Sequence, residues 1–142
     1  MRMWGVNPKL LCRQHLLGEH NEIHKHRHNF VKKHSIAKRI SPIVQIEPEN
    51  MKKRHDELAV EMIQRGYSHN SPYEQPDLSY LKPEERYAEI DIYLSIRDLL
   101  NRCPECSKRI SNSITEIGKE TLNQMICTLE SEGMFIMRQR TL

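Results

Sequence analysis

Met51, His55, Leu58 and Met62 recur at 4-3-4 spacing, with Ala59 and Ile63 beside them and Gly66 closing the run. That period presses one face of a helix against a core, and a glycine just past the last apolar position is a helix stop. The other segments carry the same kind of punctuation. Asn7-Pro8 reads as an N-cap followed by proline at the first helical position, with Leu10, Leu11, Leu16 and Leu17 as apolar contacts to about residue 20. From Glu22 to Arg39, Ile23, Phe30 and Val31 fall on one side of a helix, with basic or His residues almost everywhere else.

Pro42 and Pro48 bracket a short link ahead of the 51–66 helix. Residues 67–82, rich in Pro, Ser, Asn and Tyr (Tyr67, Tyr73, Tyr80), lack periodicity and read as an ordered surface loop. Pro83 opens a further helix with Tyr87, Ile90, Leu94 and Ile96 to Leu100 inward, ending at the Cys103-Pro104 step, because a residue before proline avoids helical geometry. Ser113-x-x-Glu116 is a capping box ahead of Ile117, Leu122, Met125, Ile126 and Leu129, with Gly133 as a stop. The tyrosines of this middle region read as packing residues, and so does Cys12 among the leucines. The expected fold class is all-α: a compact single-domain helical protein over residues 1–110, with 111–142 as a peripheral C-terminal helical extension packed on it. With aromatics at only 6% of 142 residues, its core should be aliphatic and its surface heavily charged.

The net charge of +3 conceals an asymmetry. Residues 1–65 carry 13 Lys/Arg against 7 Asp/Glu, and residues 66–142 carry 9 against 12. A basic half on a near-neutral chain is the footprint of a polyanion-binding surface, for which nucleic acid is the commonest partner, or else simply a soluble one. From His24 to Arg39 there are six Lys/Arg and four His without one acid. Such a stripe holds phosphates by charge and by imidazole hydrogen bonds. Glu22 stands at its edge, where a carboxylate repels the phosphates that its neighbours attract, and Glu19 lies one turn earlier. Both can pair with Lys25 or His26 at helical spacing, or one of them can serve chemistry.

Four cysteines (Cys12, Cys103, Cys106, Cys127) without a signal peptide or a bilayer-length apolar run point to reduced thiols in a cytosol. Cys103-x-x-Cys106 supplies two of the four ligands that a structural zinc needs, and no second cysteine pair stands at finger spacing. No metal or cofactor is expected on that basis.

The line from Arg13 through Gln14, His15, Leu16 and Glu22 to Ile23 resembles the pyrimidine-dimer DNA glycosylases, the endonuclease V family of T-even phages. Members carry a Gln-His-Leu segment followed, seven residues after its His, by a catalytic Glu; here the His is His15 and the Glu is Glu22. Val31-Lys32-Lys33-His34, Lys38-Arg39, Lys52-Lys53-Arg54 and Gln64-Arg65-Gly66-Tyr67 match in order. The likeness covers residues 1–67 well, 68–110 loosely and the tail hardly at all. Three departures stand out: Asn21 replaces an arginine, His24-Lys25 replaces Pro-Arg, and residues 110–142 hold only Phe135 where relatives have an aromatic segment.

The resemblance implies a DNA repair enzyme, a pyrimidine-dimer DNA glycosylase with AP lyase activity. It implies catalysis by the α-amine of Met1, through an imine, with Glu22 as the acid-base carboxylate. A bulky Arg2 should protect Met1 from removal. Arg2, Arg13, His15, Lys25, Arg27, Lys32 and Lys33 would contact DNA. The partner would be double-stranded DNA with damaged pyrimidines or abasic sites, met by a monomer away from any membrane. Two other readings remain. A winged-helix-like tail from Thr121 to Arg138 would make the chain a non-enzymatic DNA-binding module. His24, His26 and His28 with the cysteine pair would make it a metal-dependent nuclease, although on a helix only His24 and His28 of these share a face.

Overall fold

The computed structural model describes residues 2–117 and is all-α over them: six α-helices, two 3-10 turns and no strand among the described residues. None of these helices is long and apolar enough to cross a membrane. The chain divides into two units, one formed by residues 2–4 with 13–90 and the other by residues 5–12 with those from 91 onward. The expected nucleophile Met1, the tail from residue 118 and its winged-helix-like stretch lie outside the described residues.

The first unit is built on α1 (Arg13–Val31) packed against α3 (Met51–Gln64), with the short α2 (Ala37–Ile40) and α4 (Pro83–Arg86) beside connecting chain. The sequence divides the region of α1 between two helices, yet one helix of 19 residues runs through it. Leu16, Ile23 and Phe30 repeat every seven residues on its buried stripe, and Glu19, His20, Glu22 and His26 are buried with them. Buried polar residues on the packing face make the apolar pattern look interrupted. The helix ends where Lys33 turns left-handed at φ 57°, and the His34 amide reaches back to the Asn29 carbonyl at 2.8 Å.

The 51–66 helix forms where the 4-3-4 pattern places it. Met51, His55, Leu58 and Met62 are buried, Gly66 is left-handed at φ 87°, and the Tyr67 amide donates to the Met62 carbonyl at 2.9 Å. Ile63, counted with that face, is instead exposed. Arg54 and Glu61 share the buried stripe. Arg54 meets Glu19 of α1 in a two-pronged ion pair, Nε to Oε2 at 2.6 Å and Nη2 to Oε1 at 2.9 Å. Residues 67–82 carry no regular element, as the loop reading anticipates, yet Tyr73, Leu78 and Leu81 within them are buried.

In the second unit, Asn7 caps a 3-10 turn, Pro8–Leu10, where the sequence points to the start of a longer helix. The expected single helix after Pro83 is broken between Tyr87 and Asp91. The Asp91 carboxylate accepts from the Leu94 amide at 3.2 Å and starts α5 (Ile92–Arg102) afresh. Pro104 then occupies the first position of α6 (Pro104–Ile117), so Ser113 lies inside a helix and caps none. Helices α5 and α6 pack together, and α6 packs against the Pro8–Leu10 turn, where Arg109 Nε donates to the Lys9 carbonyl at 2.9 Å.

Candidate active site and two ligand clusters

Because a helix turns by about 100° per residue, residues seven apart share a face and residues two apart point nearly opposite ways. On α1 this rule separates two chemistries. His15 and Glu22 lie on one side with His26 beside them, and His20, His24 and Arg27 lie on the other.

On the first side Glu22 is 7% exposed, with Oε1 3.3 Å from Nε2 of His26. Burial holds His26 below its ordinary pKa against the raising pull of Glu22, and Arg39 and Lys25 push it down further. His15 is likewise lowered, first by burial and against the pull of Glu19. Its ring meets Trp4 edge-on, centroids 5.3 Å apart, and the Arg2 guanidinium lies 5.0 Å from the Trp4 ring centre. The N-terminal segment is tied down by main-chain contacts as well. The Met3 amide donates to the Gln45 carbonyl at 2.8 Å, and the Gln45 amide donates to the carbonyl of Arg39 at 2.7 Å.

The structure therefore brings together Glu22, His26, His15 and the segment that begins at Arg2, with Arg39 close enough to act on His26. It does not gather all the expected DNA contacts there. Lys25, Lys32 and Lys33 are exposed on and just after α1. Arg13 and Arg27 belong to the opposite side, where Arg13 lies 5.6 Å from the Tyr67 ring centre and Arg27 Nε donates to the Glu74 carbonyl at 2.7 Å. Of the two carboxylates the sequence leaves open, Glu22 takes the pairing with His26 at helical spacing, and Glu19 is claimed by Arg54 from 35 residues away.

The opposite side of α1 holds a constellation that sequence reasoning missed. His20 and His24 converge with His55 of α3 and His69 of the 67–82 loop. Nε2 of His55 lies 3.2 Å from Nε2 of His20, 3.1 Å from that of His24 and 3.3 Å from that of His69, and the His20 and His69 nitrogens are 2.9 Å apart. His20 is pushed down to about 4, first by burial and then by His55, His24 and His69. Its i, i+4 spacing to His24 was legible, but nothing local in the sequence ties either to residues 55 and 69. Tyr73 walls the cluster, its ring 5.6 Å from that of His55, and burial raises its hydroxyl to about 12.

A second ligand cluster lies within the second unit. Sγ of Cys12 is 3.8 Å from Sγ of Cys103, the Cys12 amide donates to Sγ of Cys106 at 3.1 Å, and the Cys106 amide donates to Sγ of Cys103 at 3.3 Å. Burial acts to raise the Cys103 thiol, but its hydrogen bonds with Cys106 and Cys12 outweigh that and set it below the ordinary value. Cys12 reads as a core residue from its neighbours and is indeed buried. The available signal was the Cys103-x-x-Cys106 interval, and nothing local in the sequence ties Cys12 to it.

The described residues form a helical scaffold whose basic helix α1 buries Glu22 on the face that meets the N-terminal segment, with exposed lysines that suit a polyanion. A family model described as pyrimidine dimer DNA glycosylase matches residues 1–75, more than half of the chain. The chain belongs to that family, and so to the DNA glycosylases. No curated protein and no solved structure gives a significant match.

Proposed function

We propose that the chain excises pyrimidine dimers from duplex DNA and then nicks the strand as an AP lyase, with the α-amine of Met1 as nucleophile and Glu22 as the acid-base group. The observation that carries this reading is the burial of Glu22 on the α1 face that also bears His15, which Trp4 of the N-terminal segment meets edge-on.

An α-amine has an ordinary pKa of about 7.7–8.0, so a useful fraction is unprotonated at neutral pH, whereas a lysine needs deep burial to match it. The amine attacks C1′ of one nucleotide of the dimer as its glycosidic bond breaks, and the base, freed from that sugar, takes up the bonding electrons and a proton while it stays joined to its partner pyrimidine by the bonds of the dimer. The amine then loses its proton and the sugar ring opens to an imine. Glu22 stabilises the positive charge that develops on the sugar, then takes a proton from C2′, and β-elimination expels the 3′ phosphate oxygen. His26 holds Glu22 in place from one turn along the helix. Arg2, His15 and Lys25 are close to this face and hold flanking phosphates, with Lys32 and Lys33 extending the cationic edge. Arg13 and Arg27, on the far side of α1, reach DNA only where it wraps around the helix. The dimer is recognised because it stacks and pairs poorly, which makes kinking and extrusion cheap.

The test is to follow glycosidic cleavage, read as free base set loose when the dimer is photoreversed after the reaction, and strand scission separately on UV-irradiated and on abasic duplex. The proposal expects both events on the first substrate and scission on the second, with chelator present throughout, since amine chemistry needs no metal. Scission that requires a divalent ion while circular dichroism shows the fold intact in chelator would mark a nuclease instead, and binding without either event would mark a DNA-binding module.

A further inference from the structure

We infer that His20, His24, His55 and His69 form a binding site for a divalent first-row transition ion of the zinc type. The argument starts from what hydrogen bonding cannot do. A ring nitrogen of a neutral imidazole offers either one hydrogen or one in-plane lone pair. Nε2 of His55 nevertheless has three other Nε2 atoms within 3.1–3.3 Å and the Ser71 carbonyl oxygen at 3.0 Å. It can satisfy one of these four. Proton sharing therefore leaves most of the convergence unexplained, and protonating the rings would set like charges against one another in a buried space.

One central cation explains the convergence of the four rings. Imidazole nitrogens bound at about 2.0–2.1 Å in tetrahedral array stand about 3.3–3.4 Å apart, and the observed 2.9–3.3 Å separations approach the edges of that figure. The set uses the same nitrogen of all four rings, the arrangement expected of ligands that point at a common centre. His55 also has the outer partner that metal-bound histidines usually have: its Nδ1 donates to Asp56 Oδ1 at 3.0 Å, which leaves Nε2 as the lone-pair nitrogen. An entry path exists, because His24 also lines a surface cleft of about 370 Å³ with Arg27, His28, Val31, Pro72 and Glu74.

Four protein ligands leave no open position for substrate, so the ion is structural, fastening the 67–72 chain to α1 and α3. His20 lies two residues from Glu22 on the opposite side of α1, so the ion clamps the helix without entering the chemistry. The test uses untagged full-length protein, because a histidine tag would itself bind metal. Metal analysis after exhaustive dialysis should find the ion, and His69→Ala should lose one equivalent relative to the native chain. Chelator should lower the native Tm by on the order of 10 °C and that of His69→Ala by clearly less, since only the histidine-bound ion is missing from the variant. Since a His69 variant could fail to fold, His24→Gln, at a partly buried position on the cleft, serves as the second variant and should show the same loss. Metal content equal in the native and variant chains, or a Tm indifferent to chelator, overturns the inference.

A separate observation carries a second site. Thiolates bound at about 2.3 Å in tetrahedral array stand about 3.8 Å apart, the separation found between Sγ of Cys12 and of Cys103, and two main-chain amides donate to the sulfurs as they do to metal-bound thiolates. We infer that Cys12, Cys103 and Cys106 ligate a soft divalent ion within the second unit. Cobalt substitution distinguishes it from the histidine site: sulfur-to-cobalt charge-transfer absorption should appear in the native chain, persist in His69→Ala and vanish in Cys103→Ser. Absence of that absorption in the native chain overturns the thiolate site and leaves the histidine site standing.

Discussion

Glu22 and Glu19 are one turn apart on the same helix and both buried, and their partners separate their roles. Glu22 has His26 at 3.3 Å, and Glu19 is gripped twice by Arg54. Replacing Glu22 with Gln keeps the shape and removes the carboxylate proposed as the base, so strand scission on abasic duplex should fall by roughly 10²–10⁴-fold while Tm changes little. Arg54→Ala should have the reverse profile. It strands Glu19 as an uncompensated buried charge and should cost about 3–5 kcal/mol by denaturant unfolding, largely recovered by adding Glu19→Gln. The His26 spacing was legible because it is local. Arg54 was not, because nothing in the neighbourhood of residue 19 announces a partner 35 positions away. The four histidines teach the same lesson, since only the His20–His24 half of that cluster is a matter of spacing.

At the scale of elements, legibility followed how apolar each packing face is. Helix α3 presents Met51, Leu58 and Met62 inward, and its period and glycine stop were plain in the sequence. In α1 the packing face alternates Leu16, Ile23 and Phe30 with buried Glu19, His20 and His26, so a continuous helix reads as two. The break between α4 and α5 turns on one side-chain cap, Asp91, in a stretch whose apolar residues suit either outcome. Gly66 gives a clean test of the α3 stop. No atom lies within 4 Å of where its Cβ would stand, so Gly66→Ala suffers only from the left-handed backbone at φ 87°. It should lose about 1 kcal/mol of stability, Gly66→Asn should lose less, and both should keep full scission activity.

For the molecule as a whole, the charge asymmetry between the two halves of the sequence was the most useful single clue. It concentrates cations on and around α1, where exposed Lys25, and Lys32 and Lys33 just past the helix end, follow the Glu22 turn. Replacing these three with Ala should weaken binding to damaged and undamaged duplex alike. It should also reduce the slope of log affinity against log salt by about 0.9 for each phosphate that is no longer neutralised, a change that fluorescence anisotropy across a salt series would read. Division into two units, one of them closed by chain from both ends, was not visible in a sequence without a linker or a change of composition at residues 90–91.

The central claim is that the α-amine of Met1 forms an imine with the sugar while Glu22 drives elimination. Borohydride trapping on UV-irradiated duplex, with the cross-linked peptide identified by mass spectrometry, tests it most directly. The account predicts a covalent complex through an intact Met1, also formed by Glu22→Gln on abasic duplex but without the nick. A cross-link at a lysine, a mature chain beginning at Arg2, or no covalent complex on either substrate would contradict it.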